Sequence, residues 1–126
     1  MSDCIFCRIV SGQIPAKEVA RTPDAVAFHD LNPQAPVHVL VVPTTHVTNA
    51  AGTDSDDGER TMGRTVRLAV QVASQLGLAE KGYRLVMNTG PDGGQSVGHL
   101  HVHVLGGRGM KWPPPATRRM TSPMAG

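Results

Sequence analysis

Aromatic side chains are scarce in this chain: two Phe, one Tyr and one Trp among 126 residues. Any core must therefore be built from Val, Leu, Ile, Ala and Met, and the apolar share of 40% is ordinary for a globular domain. Cysteine is limited to Cys4 and Cys7. Two thiols three positions apart cannot form a disulfide framework, and in a reducing compartment they favour a metal site or thiols over a disulfide. Charge of one sign is not concentrated either. The net charge is +2 and no Lys/Arg run interleaves with aromatics, which argues against a nucleic-acid partner. No apolar stretch approaches the roughly 18 residues of a membrane span. The opening Met1-Ser2-Asp3-Cys4 lacks the charged and apolar regions of a signal peptide. The expectation is a cytoplasmic protein with no membrane partner. No repeat or linker divides the chain, so its length fits one domain.

What is present alternates between strand and helix signals. Residues 4 to 10 form a short helical turn with Ile5, Phe6 and Ile9 on one side, interrupted by Gly12 and Pro15. Strands are expected at Glu18 to Arg21 and Ala25 to Asp30, around the turn Thr22-Pro23-Asp24. The rigid connector Asn32-Pro33-Gln34-Ala35-Pro36 leads into Val37 to Val42, read as a buried central strand. His38 interrupts that strand, and a core histidine bonded to backbone accounts for it equally well. Gly52 to Gly58 reads as an acidic loop whose Asp residues cap a helix rather than bind metal. From Glu59 to Leu76 the residues Met62, Val66, Ala69, Val70 and Ala73 recur at helical spacing as a core stripe, and Gly77 ends the helix. A further strand is expected at Tyr83 to Met87. Together these predict an α+β fold with a mostly antiparallel sheet.

The densest signal lies at Gln95 to Leu105. Three of the six histidines, His99, His101 and His103, alternate there with Leu100, Val102 and Val104. On a strand this pattern puts the imidazoles on one side and the aliphatic residues on the other. Gly90-Pro91-Asp92-Gly93-Gly94 precedes them, a loop able to bring backbone N–H groups close to an anion. Residues two apart on a strand are separated by about 6.6 Å, so three such rings converge poorly on one ion. A nucleophile flanked by hydrogen-bonding partners fits better, because neutral imidazole is abundant near pH 7. A strand with solvated histidines is the plainer alternative.

His99-x-His101-x-His103 followed by two apolar residues resembles the motif that names the histidine triad (HIT) superfamily. Ile5-Phe6-x-x-Ile9, Ile14-Pro15-Ala16-Lys17, Ala27-Phe28-His29-Asp30, Pro33-Gln34-Ala35-Pro36-x-His38 and Gly93-Gly94-Gln95-Ser96-Val97 resemble its nucleotide-binding, purine nucleoside phosphoramidase branch. So do Leu105-Gly106-Gly107-Arg108 and Trp112-Pro113-Pro114. The likeness spans residues 4–114, the expected domain, with a mobile tail over 115–126. It implies a HIT-like fold: a mostly antiparallel five-stranded sheet, one long helix, a short N-terminal helix, and a homodimer whose sheet continues across the two-fold axis.

The same resemblance implies the roles. His101 is the nucleophile that takes a nucleotidyl group from a purine nucleoside phosphoramidate such as an AMP-amine, or from an aminoacyl-adenylate, before water releases it. The His99 carbonyl fixes the His101 ring through Nδ1. His38 and His103 sit around nucleophile and phosphate, and Ser96 lies near the leaving amine. Gly94 and Gln95 line the phosphate by backbone and amide donors, and Asn88 contacts phosphate or ribose. Asp30 accepts from the ribose hydroxyls. Ile5, Phe6, Ile9, Ile14, Phe28 and Leu31 form the purine slot beside His29, and Trp112 is an interface residue near the site. By itself, Cys4-x-x-Cys7 is half a zinc site or simply two thiols. By resemblance to relatives that share the pair, His46 and His99 complete a structural zinc site that the chemistry does not need. Three other readings stay open: dinucleoside polyphosphate hydrolysis, a non-catalytic zinc-containing nucleotide-binding module, and a metallohydrolase using the histidine strand.

Overall fold

The computed structural model describes residues 3–114; the expected tail over 115–126 lies outside them. The elements in chain order are α1 (Ile5–Val10), β1 (Glu18–Arg21), β2 (Ala25–His29), β3 (Val37–Pro43), a 3-10 turn (Ala50–Thr53), α2 (Asp56–Gln75), β4 (Arg84–Val86) and β5 (Val102–Gly106). Among the described residues the strands form one sheet in the order β1-β2-β3-β5-β4, each neighbouring pair antiparallel. No helix among them is long and apolar enough to cross a membrane.

The two sheet faces have different covers, and alternation along the strands assigns residues to each. Ala25 and Ala27 of β2, Val39 and Val41 of β3, and Val102 and Val104 of β5 pack with Leu68, Ala69, Val72 and Ala73 of α2. The intervening Val26, Phe28, Leu40 and Val42 pack with Phe6 of α1 and, at the margin, Cys4, Ile9 and Val97. Being covered twice explains why β2 and β3 read as nearly unbroken apolar runs. On β5 the same alternation sets Val102 and Val104 toward α2, which leaves His103 for the α1 side.

Helix α2 starts earlier than the Glu59 expected from sequence. Ser55 is its N-cap and accepts from Gly58 N–H at 2.9 Å, while Asp56, Asp57 and Glu59 sit in the first turn against the positive end of the helix dipole. Of the expected acidic loop, Gly52 and Thr53 belong to the 3-10 turn, Ser55 is the cap, and Asp56 to Gly58 already lie in α2. Gly77 ends the helix as expected, with φ +80°. Its N–H donates to Ser74 O at 3.0 Å and that of Leu78 to Ala73 O at 2.9 Å, the paired bonds of a Schellman cap. The buried stripe has a different phase from the expected one. Thr65, Leu68, Ala69, Val72 and Ala73 face the sheet, Met62 and Val66 are only partly buried, and Val70 is 44% exposed. At about 100° per residue, Val70 cannot share a face with both Ala69 and Val72.

Three expected strands are shorter, β2 by the single residue Asp30. Tyr83 and Met87 fall outside β4, and β5 begins at Val102, so His99 to His101 run irregularly before it. That segment is tied down by Leu100 N–H, which donates to Val47 O at 2.6 Å.

Candidate active site

His101 is the best-defined ring of the site. Its Nδ1 lies 2.7 Å from the carbonyl oxygen of His99. A carbonyl can only accept, so Nδ1 carries the proton and Nε2 holds a lone pair. The ring is 4% exposed, packed edge-on to Phe6 at 5.1 Å between centroids and 5.0 Å from the His103 ring. Yet it borders an open cavity of about 300 Å³ on the α1 side of the sheet. Burial and access coexist because the ring forms part of the cavity wall.

Hydrogen bonds fix the neighbouring rings as well. Gln34 N–H donates to His38 Nδ1 at 3.0 Å, which leaves the His38 proton on Nε2. That Nε2–H faces His103 Nδ1 at 2.8 Å, with Asp30 Oδ2 on its other side at 3.4 Å. His103 Nδ1 is therefore an acceptor and its Nε2 carries a proton. In a neutral ring this proton is a donor aimed away from His38. Burial is the main force holding His103 neutral: it pushes the ring down to about 4, helped by His101 and His38 and opposed by Asp30. Burial lowers His38 too, with Asp30 pulling the other way. Asp30 is itself oriented by Asn32 N–H, which donates to Oδ1 at 2.8 Å.

Most residues expected to bind a nucleotide line the cavity. Ile5, Phe6, Ile9, Ile14, Phe28 and Leu31 give it an apolar wall, and His29, Asp30, Ser96, His101 and His103 supply polar groups. Ile5 and Leu31 are 46% and 91% exposed, a poor position for large aliphatic side chains unless something apolar covers them. Pro15, Ala16, Lys17, Leu40 and Val97 also line the cavity and were not among the expected contacts. Leu40 follows from strand alternation two residues after His38, whereas Pro15, Ala16, Lys17 and Val97 fall in stretches that carry the family resemblance without an assigned role of their own.

Four expected contacts do not border the cavity in the single chain: Asn88, Gly94, Gln95 and Trp112. Asn88 Nδ2 donates to Gly93 O at 2.7 Å. Gln95 Nε2 donates to Thr48 O at 2.7 Å and Val97 O at 2.9 Å, while its Oε1 accepts from Gly90 N–H at 3.0 Å. The backbone N–H groups of Gly94 and Gln95 close the loop onto Pro91 O and Gly90 O, both at 3.1 Å. In the single chain these donors hold the loop together, because a tight turn uses its own N–H groups. Gly93 is required at this turn, since a Cβ there would stand 2.3 Å from Thr89 O. Trp112 is 83% exposed.

Behind His101, the side chains of Cys4, Cys7, His46 and His99 converge, with one donor atom from each within 4.8 Å of the others. His99 Nε2 lies 3.0 Å from Pro43 O and so carries the proton, which turns the Nδ1 lone pair toward the cluster. Cys4 Sγ and Cys7 Sγ stand 3.3 and 3.5 Å from it, and His46 Nδ1 is 3.1 Å from it and 3.2 Å from Cys7 Sγ. Donors about 2.0–2.3 Å from a tetrahedral ion are roughly 3.3–3.8 Å apart, so these residues fit a metal ion, with the Pro43 carbonyl already fixing the far side of the His99 ring. The cluster unites all four residues that the sequence reading grouped. Asp30, His38 and His103 also lie within that mutual distance, but their hydrogen bonds already pair the ring nitrogens that a metal would need.

A HIT domain model matches residues 11–110. The purine nucleoside phosphoramidase of Escherichia coli is 41% identical over 106 residues, covering 84% of this chain and 88% of that protein. The crystal structure of a HIT family hydrolase from Legionella pneumophila superposes with a TM-score of 0.85 at 42% identity, covering 90% of this chain and 100% of that one. A histidine triad nucleotide-binding protein from Candida albicans gives a TM-score of 0.75 at 29% identity, over 93% of this chain and 87% of its own.

Proposed function

This chain belongs to the HIT domain family, and from that premise we propose that it is a nucleotide-binding hydrolase that cleaves the P–N bond of purine nucleoside phosphoramidates such as AMP-amines and, by the same attack on phosphorus, the P–O bond of aminoacyl-adenylates. The observation that carries this reading is the 2.7 Å bond from His101 Nδ1 to the His99 carbonyl, which presents Nε2 as a lone pair at the wall of an apolar cavity. Nε2 attacks the α-phosphorus, the P–N bond breaks as the Nε2–P bond forms, and the amine takes up a proton from solvent as it leaves past Ser96. His103 Nε2–H donates to a phosphoryl oxygen where charge grows, held in that tautomer by His38 and Gln34. Water then displaces Nε2 from phosphorus and restores the free ring. Asp30 receives the ribose hydroxyls, and the purine lies between the side chains of α1 and those of Phe28 and Leu31.

In the same reading the ion held by Cys4, Cys7, His46 and His99 is zinc, which when bound supplies a structural cross-link and no part of the reaction. The ligands are AMP and GMP derivatives. The protein acts in the cytoplasm as a homodimer joined along the edge strand β4, with exposed Trp112 reaching the partner's site.

Mass spectrometry of protein quenched during turnover of an adenosine phosphoramidate tests the chemistry. The expected result is a nucleotidyl adduct on His101 that disappears in His101→Ala, together with faster turnover of the phosphoramidate than of a diadenosine polyphosphate. An adduct elsewhere, or a preference for the polyphosphate, overturns the reading.

A further inference from the structure

Helix α1 has only six residues, too few to be stable alone, and it carries two distinct faces. Cys4, its N-cap, and Cys7 turn toward His46 and His99. Ile5, Phe6 and Ile9 turn toward the cavity. The tie that holds one face to the sheet therefore also sets the position of the other. Phe6 reinforces the connection, with its ring edge-on to both His99 and His101 at 5.9 and 5.1 Å.

His99 is the shared residue. Its Nδ1 faces the two sulfurs and His46, its Nε2–H donates to Pro43 O, and its backbone carbonyl accepts from the nucleophile's Nδ1. One residue joins the cluster through its ring and His101 through its backbone carbonyl. The cluster and the cavity thus have two mechanical links: one through α1 to the base-side wall, and one through His99 to the nucleophile.

We propose that Cys4, Cys7 and His46 are positioning residues for the nucleotide site: an ion held by them and His99 clamps α1 and the His99 carbonyl, so that occupancy of the cluster and of the cavity are energetically coupled. The proposal rests on the nucleotide-binding reading above. Without the ion, the cluster holds α1 only through the direct contacts of Cys4 Sγ and Cys7 Sγ with His99 and His46 at 3.2–3.5 Å, weaker ties than bonds to a metal, beside the apolar packing of α1 and a bond from Arg21 Nη1 to Val10 O at 3.2 Å. A purine then meets a wall that must be ordered at the moment of binding, which weakens its hold. Coupling between two sites is reciprocal, so a nucleotide must tighten the ion by the same factor.

The experiment uses the full chain with zinc, cobalt(II) and AMP as probes. Calorimetry of AMP binding to zinc-loaded and chelator-treated protein is expected to show at least about fivefold weaker binding without zinc, restored by zinc addition. Zinc affinity, read by competition with a chromophoric chelator, is expected to rise by the same factor under saturating AMP. Should the stripped protein unfold, the visible absorption of cobalt(II)-loaded protein decides, because it reports ligand geometry in the folded state. AMP is expected to shift those bands, and a merely structural ion would not respond. Bands unmoved by saturating AMP, or a folded stripped protein whose AMP affinity changes less than about twofold, overturn the coupling and leave the functional reading intact. Zinc-loaded protein that binds no AMP overturns both.

Discussion

At the scale of single residues, the site depends on where three protons sit. Gln34 N–H occupies His38 Nδ1, His38 Nε2–H faces His103 Nδ1, and His103 is left with a proton on Nε2. A backbone amide thus decides the donor character of a ring two hydrogen bonds away. On the proposed chemistry, His103→Ala removes the donor to developing phosphoryl charge, and such donors are worth about 10²–10³ in kcat. Single-turnover kinetics should show the loss in the chemical step with AMP affinity nearly kept. A variant whose loss is confined to KM would move His103 from chemistry to binding. Gln95 acts differently, through structure. Its amide joins Thr48, Gly90 and Val97, so Gln95→Leu leaves three backbone groups short of partners and should cost about 1–3 kcal/mol in urea unfolding.

At the scale of elements, helix phase is the sharpest test. Leu68 is 4% exposed against the sheet, whereas Val70 is 44% exposed. Leu68→Ala should cost about 2–5 kcal/mol through lost burial and the cavity left behind. Val70→Ala should stay within about 0.5 kcal/mol. Equal losses in denaturant melts would mean that the helix is rotated from the phase described. Sequence alone misplaces Val70 because α2 carries more apolar residues than one stripe needs, and periodicity cannot say which arc meets the sheet. The strands were more legible. Thr22-Pro23-Asp24 and the two prolines at 33 and 36 mark the ends of β2 and β3, and double burial leaves their apolar runs unambiguous. The α+β class and the antiparallel sheet follow from those signals. The irregular run from His99 to His101 was not legible, because alternation continues through it although the bond from Leu100 N–H to Val47 O leaves the ladder. Nor could the sequence disclose that the donors of Gly94 and Gln95 are used within their own loop.

At the scale of the whole molecule, burying imidazoles between sheet and α1 makes stability depend on pH. Burial is the largest force lowering His38, His99 and His103, and it brings His103 down to about 4. In the unfolded chain these rings take up protons near 6.5. Between that value and about 4 the unfolded state binds more protons than the folded one, so unfolding free energy rises with pH across this window. The stabilisation is complete above about 6.5 and is lost as pH falls toward 4. The His103 shift alone corresponds to at most roughly 3 kcal/mol at 1.36 kcal/mol per unit, reduced by the solvent screening that its partial exposure allows. His38 and His99 act in the same direction. Urea unfolding from pH 7 down to about 4.5, with a chelator present because ion release also takes up protons, should show a falling midpoint. In His103→Leu, which has no ring to protonate, the fall should be visibly shallower. Parallel losses in variant and wild type would mean that carboxylates at the surface, rather than the rings that build the site, set the acid limit of the fold.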